Sequence, residues 1–91
     1  MKLKIRPSST FEKDLKRLKK RGYDLSLLKE TVRAISEGET LPRKNKDHSL
    51  SGNYHGCREC HIAPDWLLIY EIWEDELLLY LTRTGTHSDL F

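Results

Sequence analysis

The sequence has little that would place it in the larger structural classes. It contains no apolar run long enough to span a membrane, and no charged segment followed by an apolar one opens it in the manner of a leader. No membrane association is expected, and the expected compartment is cytoplasmic. No serine sits in a Gly-x-Ser-x-Gly elbow, which removes hydrolases built on that nucleophile. Repeats, linkers and low-complexity stretches are also missing. What remains, 91 residues with abundant charge, describes a single domain over residues 1–91 with a modest core.

Cysteine is scarce too, with two residues, yet both fall in Cys57-Arg58-Glu59-Cys60-His61, a literal match to the c-type haem attachment pattern. Three features argue against haem. Attachment normally accompanies export, and no leader pattern is seen. The single methionine is Met1, so an axial methionine is lacking. The segment also reads as a strand, in which residues three apart point to opposite faces. That alternation opposes a Cys57–Cys60 disulfide or a chelate on one metal, and no second ligand pair of matching spacing completes a zinc site. Two buried, reduced thiols are expected, with no metal and no cofactor.

Charge is present in quantity and unevenly spread. Residues 1–47 hold fourteen Lys/Arg against seven Asp/Glu, whereas residues 48–91 hold two against seven. A basic first half suits a polyanion, because phosphate neutralisation supplies most non-specific affinity for nucleic acid. A solvated helical surface would show the same composition.

Met1–Arg6 alternates apolar and basic residues as a strand does, and Pro7 ends it. Ser9 and Glu12 fit a capping box ahead of a helix that buries Phe11, Leu15 and Leu18 and stops at Gly22. Asp24 caps a second helix with Leu25, Leu28, Val32 and Ile35 as its stripe and Gly38 as its end. Residues 39–50 lose the period and form a basic loop that includes Lys44, Lys46 and His48. Gly56–Ile62, Trp66–Trp73 and Leu77–Arg83 read as three strands, the first two joined by a turn at Pro64-Asp65. The tail from Thr84 is polar and ends on Leu90 and Phe91. The expected fold is α+β in the order β-α-α-β-β-β, with two N-terminal helices on a mostly antiparallel sheet.

The hairpin tip at Pro64 is expected to gather His61, Asp65 and Trp66. If strands pair in sequence order, Arg83 comes from a neighbouring strand and His87 follows it. One groove is then lined by His48, His61, Asp65, Trp66, Arg83, His87 and Phe91. Imidazoles move protons near neutral pH, arginine binds phosphate in bidentate fashion, and an indole or phenyl ring stacks on a base. RNA cleavage by the ribose 2′-hydroxyl needs neither an enzyme nucleophile nor a metal, and it fits this set. A non-catalytic nucleic-acid or protein-binding domain is the alternative. Each residue also has a plainer reading: Trp66 as core, Arg83 as a surface partner of Asp65, His48 as a loop bystander, Phe91 as a frayed terminus.

The strings Lys46-Asp47-His48-Ser49-Leu50-Ser51-Gly52, Pro64-Asp65-Trp66-Leu67-Leu68-Ile69-Tyr70 and Arg83-Thr84-Gly85-Thr86-His87-Ser88-Asp89-Leu90-Phe91 together resemble the YafQ-like toxins of the RelE superfamily, from bacterial type II toxin–antitoxin systems. The resemblance spans essentially the whole chain. It implies a compact RelE-type fold and a ribosome-dependent mRNA interferase that cuts mRNA in the A site of the 70S ribosome. It further implies a cognate antitoxin, with operator DNA bound only through the antitoxin complex. The family's functional positions correspond here to His48, His61, Asp65, Trp66, Arg83, His87 and Phe91. The resemblance gives His87 as general acid, Asp65 or His61 as base with His48 sharing either role, and Arg83 as the stabiliser of phosphorane charge. Trp66 and Phe91 would hold codon bases, and the lysines of residues 13–21 and 43–46, Lys44 and Lys46 among them, would grip RNA. Tyr54 stands where the family commonly has tryptophan, and Cys57 and Cys60 replace non-thiol residues. The rival in this setting is a catalytically silent co-repressor acting with its antitoxin on operator DNA.

Overall fold

The computed structural model describes residues 2–91; Met1, where the expected first strand begins, lies outside them. The elements in chain order are β1 (Lys4–Pro7), α1 (Ser9–Lys20), α2 (Leu25–Ser36), β2 (His48–Ser49), β3 (Arg58–Ala63), β4 (Trp66–Trp73), β5 (Leu78–Gly85) and α3 (His87–Leu90). The sheet runs β1-β5-β4-β3-β2, with β1 parallel to β5 and every other pair antiparallel. The expected α+β class, order and helix pair are all present. The sheet gains β2, a two-residue strand too short and too polar to announce itself in sequence.

Capping explains where the helices start. Asp24 caps α2 as expected, its carboxylate accepting from the Ser26 N–H. The cap of α1 is Ser8 and not Ser9: Ser8 Oγ accepts from the Phe11 N–H at 2.9 Å. The same hydroxyl donates to the Thr82 carbonyl at 2.8 Å, so a long-range bond to β5 decides between two adjacent serines. Both helices stop where Gly22 and Gly38 take positive φ.

Alternation along the strands sorts the core into two clusters. Phe11, Leu18, Leu28, Val32 and Ile35 of the helices pack on Cys60, Trp66, Leu68, Tyr70, Leu79 and Leu81. The second cluster, on the far face of the sheet, is smaller: Cys57, Leu67, Ile69 and Leu90, with Leu50 and Tyr54 against it. The two thiols are free and buried, one in each cluster, as alternation requires. Burial pushes the Cys60 thiol up to about 12 and raises that of Cys57.

Candidate functional site

The register of the sheet builds the site on the far face, away from α1 and α2. His48 stands opposite Glu59, Glu59 opposite Ile69, and Ile69 opposite Arg83. These four residues form one row across β2, β3, β4 and β5, about 14 Å long at ~4.8 Å per strand step. The adjacent row is His61, Leu67 and Gly85. Directly opposed residues share a face, so Glu59, His61 and Arg83 all project from the side that carries Leu67 and Ile69.

Two anchors hold the loop that presents His48. The Asn45 side-chain amide donates to the His61 carbonyl at 2.7 Å. Asp47 accepts from the Tyr70 hydroxyl at 2.7 Å and from Arg58 at 3.3 Å. The Nδ1 hydrogen of His48 points to the Lys46 carbonyl at 2.7 Å, which leaves Nε2 facing the Glu59 carboxylate across 3.5 Å. Nε2 of His61 lies 3.9 Å from the same carboxylate oxygen. Glu59, only 5% exposed, therefore sits between two imidazoles. The sequence signal that marks it is its i, i+2 spacing to His61 within a strand, which places both on one face.

On the opposite rim, α3 carries His87 in its first turn. Its backbone N–H donates to Asp65 Oδ1 at 3.2 Å, and its ring Nδ1 lies 2.9 Å from the same oxygen. Those two bonds from His87 hold the Asp65 carboxyl below the usual carboxylate range, the side-chain bond first. Nδ1–H is then the donor and Nε2 is the nitrogen left open to solvent. The rings of His61 and His87 approach to 6.0 Å between centroids. Phe91, 64% exposed, lies 6.2 Å from the His87 ring and packs edge-on against Tyr54 at 5.4 Å. Lys44, Lys46 and His61, with Ile62, Ala63 and Pro64, line a hollow of about 460 Å³ beside the β3–β4 turn.

Two expectations are corrected. Trp66 is 3% exposed and belongs to the helix-covered core, where its Nε1–H donates to Thr84 Oγ1 at 2.9 Å and Tyr23 meets it edge-on at 5.0 Å. It offers no face to a base. As the first residue of β4 it shares a side with Leu68 and Tyr70, whereas the site lies on the side of Leu67 and Ile69. Arg83 is neither free nor a partner of Asp65. Its Nε and Nη2 donate to the two oxygens of Asp14, both at 2.9 Å, and Asp14 also accepts the Thr84 N–H at 3.1 Å. Asp14 is fully buried on α1, so Arg83 is held by a helix 69 residues away in sequence. The pairing with Asp14 raises the already high pKa of Arg83 further. His48, His61, Asp65, Arg83, His87 and Phe91 thus gather on one face, and Trp66 does not.

Comparison with known proteins places this arrangement. Residues 3–91 match the family described as bacterial toxin of type II toxin-antitoxin system, YafQ. The mRNA interferase toxin YafQ of Escherichia coli K12 is 41% identical over 88 residues, covering 96% of this chain and 94% of that protein. A metal-bound toxin from Helicobacter pylori superposes with a TM-score of 0.92 at 47% identity, covering 98% of this chain and 99% of the other. The E. coli DinJ–YafQ toxin-antitoxin complex gives a TM-score of 0.89 at 38% identity, covering 100% and 99%. Metal is a property of that H. pylori structure; among the described residues here, no three His, Cys, Asp or Glu side chains are arranged to hold an ion. With the match running over nearly its whole length and the fold shared, the chain belongs to the YafQ family of bacterial type II toxins.

Proposed function

We propose that the chain is a ribosome-dependent mRNA interferase working by acid–base catalysis on the ribose 2′-hydroxyl. The observation that carries this reading is the pairing of His87 with Asp65 on one rim, facing the His48–Glu59–His61 group on the other. Cleavage requires one group to take the 2′-hydroxyl proton as O2′ attacks phosphorus, and another to protonate the departing 5′-oxygen. The products are a 2′,3′-cyclic phosphate and a 5′-hydroxyl, with no enzyme nucleophile consumed.

His87 is the general acid, delivering its proton from Nε2. Asp65 orients it, in the manner of a carboxylate that fixes an imidazole's tautomer. The depressed pKa of Asp65 makes it a weak base, so the base comes from His48 or His61, with Glu59 placed to balance charge between them. Arg83, immobilised by Asp14, turns its remaining donors toward the phosphate. Phe91 stacks on a base, and Lys44 and Lys46 guide the backbone through the hollow they line. The basic surface of α1 docks on ribosomal RNA, and a cognate antitoxin neutralises the toxin, as DinJ is bound to YafQ in the solved complex. The site of action is then the cytoplasm, consistent with the finding that no described helix is long and apolar enough to cross a membrane.

The test is cleavage of mRNA on purified, message-loaded ribosomes, with free RNA as control. Cuts that need ribosomes are expected, and their loss in His87→Ala. Cleavage of free RNA at the same rate would remove the ribosome from the mechanism. Failure to cut either substrate would leave a non-catalytic partner of the antitoxin.

A further inference from the structure

We propose that Arg21 is a positioning residue for His87, acting through Asp89 to lock α3 against the end of α1; the catalytic part of this inference rests on the activity proposed above. Helix α3 has four residues, too few to hold helical structure on intrinsic propensity. Its internal support is a capping box: the Asp89 N–H donates to Thr86 Oγ1 at 3.2 Å, and the Thr86 N–H donates to the Asp89 carboxylate at 3.0 Å. The same carboxylate receives both terminal nitrogens of Arg21, at 2.8 and 3.1 Å, across 68 residues of sequence. Arg17 adds a longer contact at 3.8 Å and also reaches Asp14 at 3.3 Å.

Asp14 and Arg17 of α1 and Arg21, its C-cap, stand at helical spacing on one stripe, so one side of the helix and its cap holds both Arg83 and the segment that bears His87. Gly85 supplies a second, independent sign that Asp89 is meant to be seated here. A Cβ at position 85 would come within 2.9 Å of Asp89 Oδ2 and 3.0 Å of Asp89 Cβ. Glycine at this point in the Arg83–His87 stretch clears room for the carboxylate. Arg21 is also the main cause holding the Asp89 carboxyl well below the usual range, so the latch keeps its charge at any pH where the protein would act. Composition groups Arg21 with the RNA-gripping lysines of α1; the geometry gives it an intramolecular duty.

The test compares Arg21→Gln, Arg21→Lys, Asp89→Asn and the Arg21→Gln/Asp89→Asn double variant. Arg21 is partly exposed, so these chains are expected to fold. Amide exchange at Leu90 and Phe91, whose N–H groups bond the Thr86 and His87 carbonyls, should accelerate at least ~10-fold in Arg21→Gln while the amides of β4 stay protected. Unchanged exchange at those two amides would overturn the latch. On message-loaded ribosomes, Arg21→Gln should lower kcat ~10-fold or more with KM within about 2-fold, as expected for a displaced catalytic group. Arg21→Lys should recover part of the loss. The double variant should be no worse than the poorer single, because Arg21 acts through Asp89. A salt-dependent rise in KM with kcat preserved would instead make Arg21 a phosphate contact and overturn the proposal. If the wild-type chain cuts nothing, the activity reading fails, and the exchange experiment still decides the latch.

Discussion

On the helix-covered face of β4, Trp66, Leu68 and Tyr70 disappear beneath Phe11, Leu18, Leu28 and Val32. On the open face, one residue along, Leu67 and Ile69 lie in rows with His61, Glu59 and Arg83. The same three strands thus carry the larger apolar core on one side, and on the other titratable groups around a smaller one. Coverage makes the difference. Two twelve-residue helices shield the first face, whereas the second has only the 50–57 loop and α3. A small domain has too little apolar surface to cover both faces equally, and the thinner cover leaves His61 and Arg83 partly exposed while Glu59 stays buried between two imidazoles. Trp66 and Asp65 are neighbours in sequence and belong to opposite faces, so a motif that reads as one unit is divided between the core and the candidate site.

Substitutions matched across the two faces would break this comparison if it is wrong. The largest effect on folding is expected for Trp66→Ala, which opens a cavity in the helix-covered core and leaves the Thr84 hydroxyl only its bond to the Leu67 carbonyl. It should cost ~3–5 kcal/mol in denaturant unfolding. His87→Ala should move unfolding by no more than ~0.5 kcal/mol, yet lower the single-turnover cleavage rate ~10²–10⁴-fold. Equal stability losses in the two variants would erase the distinction between the faces.

Asp14→Ala sits at the junction, since it leaves Arg83 unpaired and frees the Thr84 N–H. A loss of ~3 kcal/mol is expected, the scale for breaking a largely buried ion pair. Arg83→Ala should be damaging too, because it removes two bonds to the buried Asp14 carboxylate and leaves it only the Thr84 N–H and Arg17; a stability unchanged from wild type would show that the pair is incidental.

Glu59→Gln sharpens the picture within the open face. It retains volume and removes the charge between His48 and His61. Cleavage should fall by about 10-fold with stability nearly intact, the modest scale of a group that assists a base.

A smaller effect concerns pH. The folded-state pKa of Asp65 is depressed, so its pairing with His87 is fully present above the ordinary carboxylate range and is lost as pH falls through the depressed value. The Asp65 carboxyl should titrate lower by NMR in wild type than in His87→Ala. Coincident midpoints would mean that the two side chains do not pair in solution. Smallest of all, Cys57 and Cys60 should resist thiol reagents at neutral pH until the chain unfolds, since burial raises both thiols. Rapid labelling of the native protein would contradict their placement in the two cores.

Much of the scaffold can be read directly from residue order. The helical stripes, the Asp24 cap, the glycine stops and the span Trp66–Trp73 all follow from local periodicity and turn chemistry, which need no distant partner. The elements that escape such reading are β2 and α3, of two and four residues. Neither is long enough for a period, and each exists because something remote holds it: β3 for the first, Asp65 and Arg21 for the second. Glu59 lies inside the cysteine pattern, and Ser8 stands beside a neighbour of the same type, Ser9, from which only its bond to β5 distinguishes it.

The residue types of the site, and their placement at strand ends and in the basic loop, are properties of the sequence itself. So is the opposition of Cys57 and Cys60, because alternation in a strand is a local consequence of backbone geometry. Three matters were decided only by tertiary structure: the face on which Trp66 lies, the partner that Arg83 takes, and the path by which α1 reaches His87. Each depends on which side of the sheet the helices cover and on contacts about 70 residues apart in sequence, such as Arg83–Asp14 and Arg21–Asp89. Local periodicity carries no information at that range; packing and long-range charge pairing supply it.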